Sequence, residues 1–242
     1  MNAPVGRIHS IDSFSALDGP GLRSVVFLQG CALRCQYCHN PDAWNPKAPT
    51  AGQYTVDALM AVLRRFIPYY RPSGGGVTFS GGDPLLQHQF LTAMLKACGQ
   101  ENIHTAIESA LAVSENILRP LLPLTGLFIV DLKHIDNAKS RLITGSSNRH
   151  MLNNIRLISE SAHPLWLRYV LVPGLTDDPA DLRATGDFLA ALPHVERIEL
   201  LPFHQLGRHK WPLLGLDYQL EHTPAPTPEQ IASAEELLGI GR

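Results

Sequence analysis

Cys31-Ala32-Leu33-Arg34-Cys35-Gln36-Tyr37-Cys38 carries three of the chain's four cysteines in the spacing C-x3-C-x2-C, and Gly30 leads into it. On a straight helix the sulfurs would fall at i, i+4 and i+7, strung along roughly 10 Å of axis, too far apart to share one compact site. A loop that curls on itself, entered through Gly30 and left before Pro41, lets the three thiolates converge. Three thiolates suit an iron–sulfur cluster that normally takes four ligands, and they leave one iron open for chemistry. The rival reading is a structural zinc site with His39 as fourth ligand. Adjacent Cys38 and His39 would have to distort to reach one tetrahedral ion, which disfavours it.

Working outward, the chain alternates strand and helix. Gly6 to Phe14 is expected as an opening strand, Asp18-Gly19-Pro20-Gly21 as a turn, and 22–29 as a Val- and Phe-rich strand that delivers the chain into the cysteines. The Pro-rich run from Asp42 to Gly52 reads as surface loop. Thr55 is placed as the N-cap of a helix with Val56, Leu59, Met60, Leu63, Phe66 and Ile67 at helical spacing, ending near Pro68. Further strands are expected at 77–79, 103–109, 127–133, 165–172 and 195–201. Between them come a helix burying Leu86, Phe90, Leu91, Met94, Leu95 and Cys98, and others near 114–122, 148–160 and 179–191. Thr227-Pro228-Glu229-Gln230 is a capping box that opens a last helix through Leu238.

Six strands alternating with helices predict an α/β fold with parallel strands and right-handed crossovers. An open doubly wound sheet and a barrel both satisfy that pattern. The placement of polar residues favours a partial (β/α)6, TIM-like barrel: Gly81-Gly82-Asp83, Glu108, Asp131, Lys133, Arg168 and His204 lie at or just beyond the C-terminal ends of successive strands, the rim that carries active sites in such barrels. With no repeat, low-complexity tract or linker, a single domain over 1–242 is expected.

Composition narrows the partners. Twenty basic and 22 acidic side chains give a formal charge of −2 with no long run of either sign, which disfavours a nucleic-acid partner. No signal-peptide core occurs within Met1 to Asp18 and no uninterrupted apolar stretch nears ~18 residues, so neither export nor membrane insertion is expected and the cytoplasm is. Reduced, metal-binding thiols fit that compartment better than a disulfide framework does.

The cysteine loop, with aromatic Tyr37 before the third cysteine, resembles that of the radical S-adenosylmethionine (SAM) superfamily. The resemblance implies a [4Fe–4S] cluster on Cys31, Cys35 and Cys38, its open iron chelated by the amino and carboxylate groups of SAM, with Tyr37 and His39 around that cofactor. One electron then cleaves SAM to methionine and a 5′-deoxyadenosyl radical. Gly81-Gly82-Asp83 resembles the superfamily's Gly-Gly-Glu, which meets the methionine amino group, with an acid one methylene shorter. Blocks along most of the chain, among them Asp18-Gly19-Pro20-Gly21, Tyr37-Cys38-His39-Asn40, Asp131-Leu132-Lys133, Leu167-Arg168-Tyr169-Val170 and His204 to Trp211, are similar to the glycyl radical enzyme activases, in particular those that act on pyruvate formate-lyase. This implies cofactor contacts from Asp131, Leu132, Lys133, Arg168 and His204, a protein substrate whose glycine loop enters near Asp18 and His39, and flavodoxin or ferredoxin as electron donor. Where those activases carry Asp-Thr-Asn-Gly this chain has Glu108-Ser109-Ala110-Leu111. A monovalent cation is expected there, altered but retained, with Glu108, Ser109 and Asp131 as oxygen donors. Only Cys98 lies outside the motif, which excludes the inserted ferredoxin-like segment of related activases. An activase of another glycyl radical enzyme, a radical enzyme acting on a small molecule and a zinc-stabilised binding module are the alternatives.

Overall fold

Val5 to Ser15 form β1, an eleven-residue strand that pairs antiparallel with β2 (Arg23–Leu28) through two register shifts. The computed structural model describes residues 4–241, so residues 1–3 and 242 of the expected domain lie outside it. The described chain clusters into two compact units, the first comprising residues up to 32, 43–109 and 113–129, the second 33–42, 110–112 and everything from 130 onward.

In the first unit the far side of β1 carries β3 (Gly52–Thr55), a strand within a stretch expected to be loop up to Gly52 and helix cap at Thr55. Four residues are too few for an alternating pattern to register in sequence. Thr55 still caps α1 (Val56–Leu63), its hydroxyl accepting from Ala58 N at 3.2 Å. After a 3-10 turn over Arg64–Phe66 the chain resumes as α2 (Ile67–Ser73). Pro68 thus opens a helix instead of ending one, because in a first turn its missing N–H has no partner to lose. β4 (Gly76–Gly81) runs parallel to β2, α3 (His88–Gln100) buries Phe90, Leu91, Met94, Leu95 and Cys98, and β5 (His104–Ser109) runs parallel to β4. Leu86, expected on the buried face, is 41% exposed because it lies in the 3-10 turn before α3. The helix expected at 114–122 forms as α4 (Glu115–Leu118) and a 3-10 stretch over Arg119–Leu124, where Pro120 and Pro123 forbid continuous α-helical bonding. β6 (Leu127–Asp131) follows, and the strand order in this unit is β3-β1-β2-β4-β5-β6.

The second unit takes up the last two residues of β6 and continues through α5 (Asn137–Thr144), α6 (Arg149–Glu160), β7 (Leu165–Leu171), α7 (Pro179–Ala190), β8 (Arg197–Pro202), α8 (Lys210–Leu213) and α9 (Pro228–Leu238). Here the order is β6-β7-β8, with β7 and β8 parallel from Trp166↔Arg197 to Leu171↔Pro202. α9 starts on the expected capping box, Thr227 N donating to the Gln230 side chain at 2.8 Å, and reaches α7 where Gly186 has no side chain: a Cβ there would lie 2.4 Å from Leu237 O. The six expected strands all form, in chain order, and the sheet is mostly parallel and does not close. β1 and β3 extend it antiparallel at one edge.

Candidate functional site

In the first unit the β2 end, the β4 end and the β5 end meet through backbone. Gly30 turns with φ +107, its N–H donating to Ala43 O at 2.7 Å, and Cys31 N donates to Trp44 O at 3.1 Å. Gly81 adopts φ +119 and a Cβ on it would lie 2.2 Å from Leu28 N, while a Cβ on Gly82 would lie 2.3 Å from Gly30 O. The glycine pair is therefore demanded by its own chain, which brings β4 against the start of the cysteine loop. Asp83 N closes the arrangement by donating to Gly30 O at 2.8 Å.

Asp83 is 5% exposed, and its carboxylate is engaged twice: it caps Leu85 N at 3.0 Å and accepts from the Ser109 hydroxyl at 3.0 and 2.9 Å. Glu108, the neighbour of Ser109 on β5, accepts from Ser80 Oγ at 2.6 Å. The shorter acid thus anchors β5 to the glycine turn, and the longer one anchors to β4.

Asp18 accepts from Ser15 Oγ through its carboxylate and from Thr78 Oγ1 at 2.6 Å through its carbonyl. Behind it lies Arg23, which sequence reasoning passed over. Its guanidinium is fully buried and donates to Thr78 Oγ1 (2.7 Å), Val77 O (2.9 Å) and Pro20 O (3.1 Å). Burial lowers its pKa to about 10, still charged at neutral pH. An arginine at the head of a strand that runs on into Val25-Val26-Phe27-Leu28 was the available signal.

In the second unit the cysteine loop is bonded onto the end of α5 by Arg34 N to Thr144 O (2.8 Å) and Gln36 N to Ile143 O (3.0 Å), and Cys38 N turns back to Cys35 O (3.1 Å). Lys133 connects the loop to the β6 end: its ammonium sits 3.1 Å from Asp131 Oδ2 and 5.6 Å from the centroid of the buried Tyr37 ring. Burial works against that charge, but Asp131 outweighs it and holds Lys133 well above the usual lysine value. Leu132 is buried and its N–H donates to Arg168 O, tying β6 to β7. Arg168 pairs with Glu199 on β8 at 2.7 Å.

The His39 and His204 rings lie against each other with centroids 4.1 Å apart and planes tilted by 35°, and His39 Nε2 donates to His204 O at 3.1 Å. A Cβ at Gly207 would lie 2.6 Å from His39 Cα and O, so only glycine permits that approach. Trp211 Nε1 donates to Cys38 O at 3.1 Å, and Lys210 Nζ reaches Asn40 Oδ1 at 2.8 Å and Asp42 at 3.1 Å. The His204–Trp211 segment is thus a clamp on the far end of the cysteine loop, and Gly207 and Trp211 are the residues that make it one.

The donor chemistry fits an iron–sulfur group. None of the described cysteines is in a disulfide. Cys35 is 7% exposed and burial pushes its thiol up to about 11 despite the nearby Lys133, so it becomes a thiolate at neutral pH only when a metal displaces its proton. No described helix is long and apolar enough to cross a membrane.

Comparison with known proteins agrees with this chemistry. Residues 25–185 match the family model of the radical SAM superfamily. Curated pyruvate formate-lyase-activating enzymes of Staphylococcus aureus, such as that of strain USA300, are 43% identical over 235 residues, 95% of this chain and 93% of theirs. The crystal structure of a domain of pyruvate-formate lyase-activating enzyme from Bacteroides vulgatus superposes with a TM-score of 0.58 at 32% identity, covering 69% of this chain and 94% of that one. A radical SAM methyltransferase from Sphaerobacter thermophilus superposes with a TM-score of 0.64 over 99% of this chain and 75% of its own, at 16% identity, a likeness of fold alone.

Proposed function

The chain belongs to the radical SAM superfamily, whose members use a [4Fe–4S] cluster and SAM, and from that membership we propose that it activates pyruvate formate-lyase by generating a glycyl radical on it. The observation that carries the reading is the 43% identity to activating enzymes of that name across 95% of the chain, with the C-x3-C-x2-C loop intact. When bound, the cluster and SAM would supply, with one external electron and release of methionine, a 5′-deoxyadenosyl radical able to take a hydrogen atom from a glycine Cα of the partner.

The chain's own residues bind and position. Cys31, Cys35 and Cys38 hold the cluster; no side chain is needed as general base. The Gly81-Gly82 backbone receives the methionine end of SAM, with Asp83 acting through the turn that it caps. Tyr37, Lys133 and Asp131 form a charged shelf on the cluster loop, Leu132 aligns it against Arg168, and His39, packed against His204, lines the approach. Asp18, its carbonyl held by Thr78, is the proposed contact of the partner's glycine loop in the first unit, and His39 is the one in the second. Holding the reacting groups in place and away from water is the protein's contribution, and misplacement is costly. A monovalent cation at Glu108, Ser109 and Asp131 belongs to the same reading; identical activation rates in sodium and potassium buffers would remove it. Flavodoxin or ferredoxin supplies the electron.

The test is an electron paramagnetic resonance spectrum after anaerobic mixing of the reconstituted, reduced protein with SAM and pyruvate formate-lyase, with deoxyadenosine assayed in parallel. A glycyl radical doublet on the partner is expected. Deoxyadenosine without the doublet would transfer the activity to a different glycyl radical enzyme, and neither product from an intact cluster would overturn the reaction.

A further inference from the structure

We propose that Gln87 is a positioning residue: its side-chain amide fixes the entry of the cysteine loop, Gly30-Cys31, against the glycine turn Gly81-Gly82. The inference rests on the reading above, in which the cluster sits on the cysteine loop and the methionine end of SAM on the glycine turn, so that their spacing sets how well SAM is held. Every contact involved lies in the first unit.

The strand pair before the loop is the first argument. β1 and β2 pair as far as Ile8↔Leu28, and Gln29 N then donates to Arg7 O at 2.9 Å. A hydrogen-bonded antiparallel pair would add the reciprocal bond, from Arg7 N to Gln29 O. The Gln87 amide stands in its place: Oε1 accepts from Arg7 N at 2.8 Å, and Nε2 donates to Gln29 O at 2.9 Å and to Arg7 O at 2.8 Å. The amide can face only this way, because a backbone N–H must donate and the two carbonyls must accept. A carboxamide has the donor and acceptor of a peptide group, and here it wedges between the strands where β2 turns away through Gly30 at φ +107.

The second argument is where Gln87 comes from. It ends the 3-10 turn Pro84–Gln87, which Asp83 caps directly after the glycine pair. Leu28, Gln29 and Gly30 are the last three residues before Cys31, and the carbonyl of each accepts a bond from this one segment: from Gly82 N at 2.9 Å, from Gln87 Nε2 at 2.9 Å and from Asp83 N at 2.8 Å. Two of these donors are backbone N–H groups. The middle one is a side chain, so it alone can be removed without rerouting the chain. With the amide gone, Arg7 N and Gln29 O can close on each other as an ordinary strand pair does, carrying Gly30-Cys31 with them. A displacement of that kind is small, and the holding of a reacting group is sensitive to small displacements.

The test uses the reconstituted holoprotein and the variants Gln87→Leu and Gln87→Glu. Leucine removes the wedge and lets the strands close; glutamate keeps its shape but sets an anionic oxygen against two carbonyls and drives them apart. Iron and sulfide should stay at the wild-type level in both variants. The dissociation constant for SAM, read by titrating the electron paramagnetic resonance spectrum of the reduced cluster, should rise about tenfold in both, since the two opposite displacements spoil the same spacing. Urea denaturation of the same proteins separates this from a loss of stability. A SAM constant within about twofold of the wild type in either folded variant, whatever its urea midpoint, would make Gln87 a merely structural residue and overturn the proposal. Iron lost from both variants would place Gln87 in the seat of the cluster and overturn the spacing role. A wild-type holoprotein whose spectrum does not respond to SAM would overturn the parent reading and this inference with it.

Discussion

Asp83 and Ser109 show what a one-methylene change does. A glutamate at the glycine turn would carry its carboxylate past Leu85 N; aspartate holds it at capping distance, and the buried Ser109 hydroxyl completes the pair. Ser109→Ala should lower stability by about 1 kcal/mol, the net worth of an ordinary hydrogen bond. Asp83→Ala should cost about 1–2 kcal/mol more, since it removes a helix cap and leaves a buried hydroxyl without its acceptor. Urea denaturation of the two variants checks both; equal and negligible shifts would mean that the contact is incidental. Asp83 was legible in sequence as an acid after two glycines, but its engagement was not, because Ser109 lies 26 positions away. Leu111 illustrates the same limit. It occupies the glycine position of the related activases yet takes φ +54 with its side chain fully buried and its carbonyl held by Asn154 Nδ2 at 3.0 Å. Leucine burial, about 1.5–3 kcal/mol, outweighs a left-handed backbone costing roughly 1–2, so Leu111→Gly should destabilise the chain in the same denaturation assay.

At the level of elements, long periodic segments were readable and short ones were not. β2, β4 to β8, α3, α6, α7 and α9 formed within a few residues of expectation because burial imposes their period. α5 escaped because its eight residues include only Leu142 and Ile143 as large apolar side chains, too few to register a helical period, although its start carries a local cap. Asp136 caps it by accepting from Lys139 N, while Asp136 N donates to Nδ1 of the fully buried His134. Burial lowers the His134 pKa, so the folded protein keeps this ring neutral while the unfolded chain takes up a proton below roughly pH 6.5. The contribution is therefore complete above that pH and lost as pH falls through it toward the folded value, with a slope of at most about 1.4 kcal/mol per pH unit. Thermal midpoints from pH 7.5 to 5 should fall more steeply for the wild type than for His134→Gln; parallel curves would remove the histidine from the account. The clamp after β8 escaped too, its working parts being a glycine and an indole N–H. Gly207→Ala must displace His39 by its backbone, a cost of about 1–3 kcal/mol, whereas Trp211→Phe loses only the bond to Cys38 O, about 1 kcal/mol. In the reconstituted enzyme Gly207→Ala should accordingly weaken partner binding more than Trp211→Phe does, measured by titration with pyruvate formate-lyase.

For the molecule as a whole, the four cysteines divide into two kinds that burial alone does not separate. Cys35 and Cys98 are both buried, and burial raises both thiols, to about 11 and about 12. Cys98 lies on α3 with its sulfur 3.9 Å from Met60 Sδ, surrounded by side chains that pack the first unit. Cys35 lies in a loop held by backbone bonds to α5, with Lys133 in its electrostatic surroundings. Replacing either by alanine removes one buried sulfur and should cost the apoprotein about 1 kcal/mol by the lost packing. Their metal chemistry should then diverge. Cys98→Ala should bind iron and sulfide at wild-type stoichiometry after anaerobic reconstitution and lose only that increment of stability. Cys35→Ala should lose the cluster and with it every SAM-dependent product, although its apoprotein unfolds at a similar urea concentration. Iron and sulfide analysis beside urea denaturation separates the two effects. An iron-depleted Cys98→Ala, or a Cys35→Ala with its full complement, would show the ligand set to be wrong and the C-x3-C-x2-C loop to be something other than the cluster's seat.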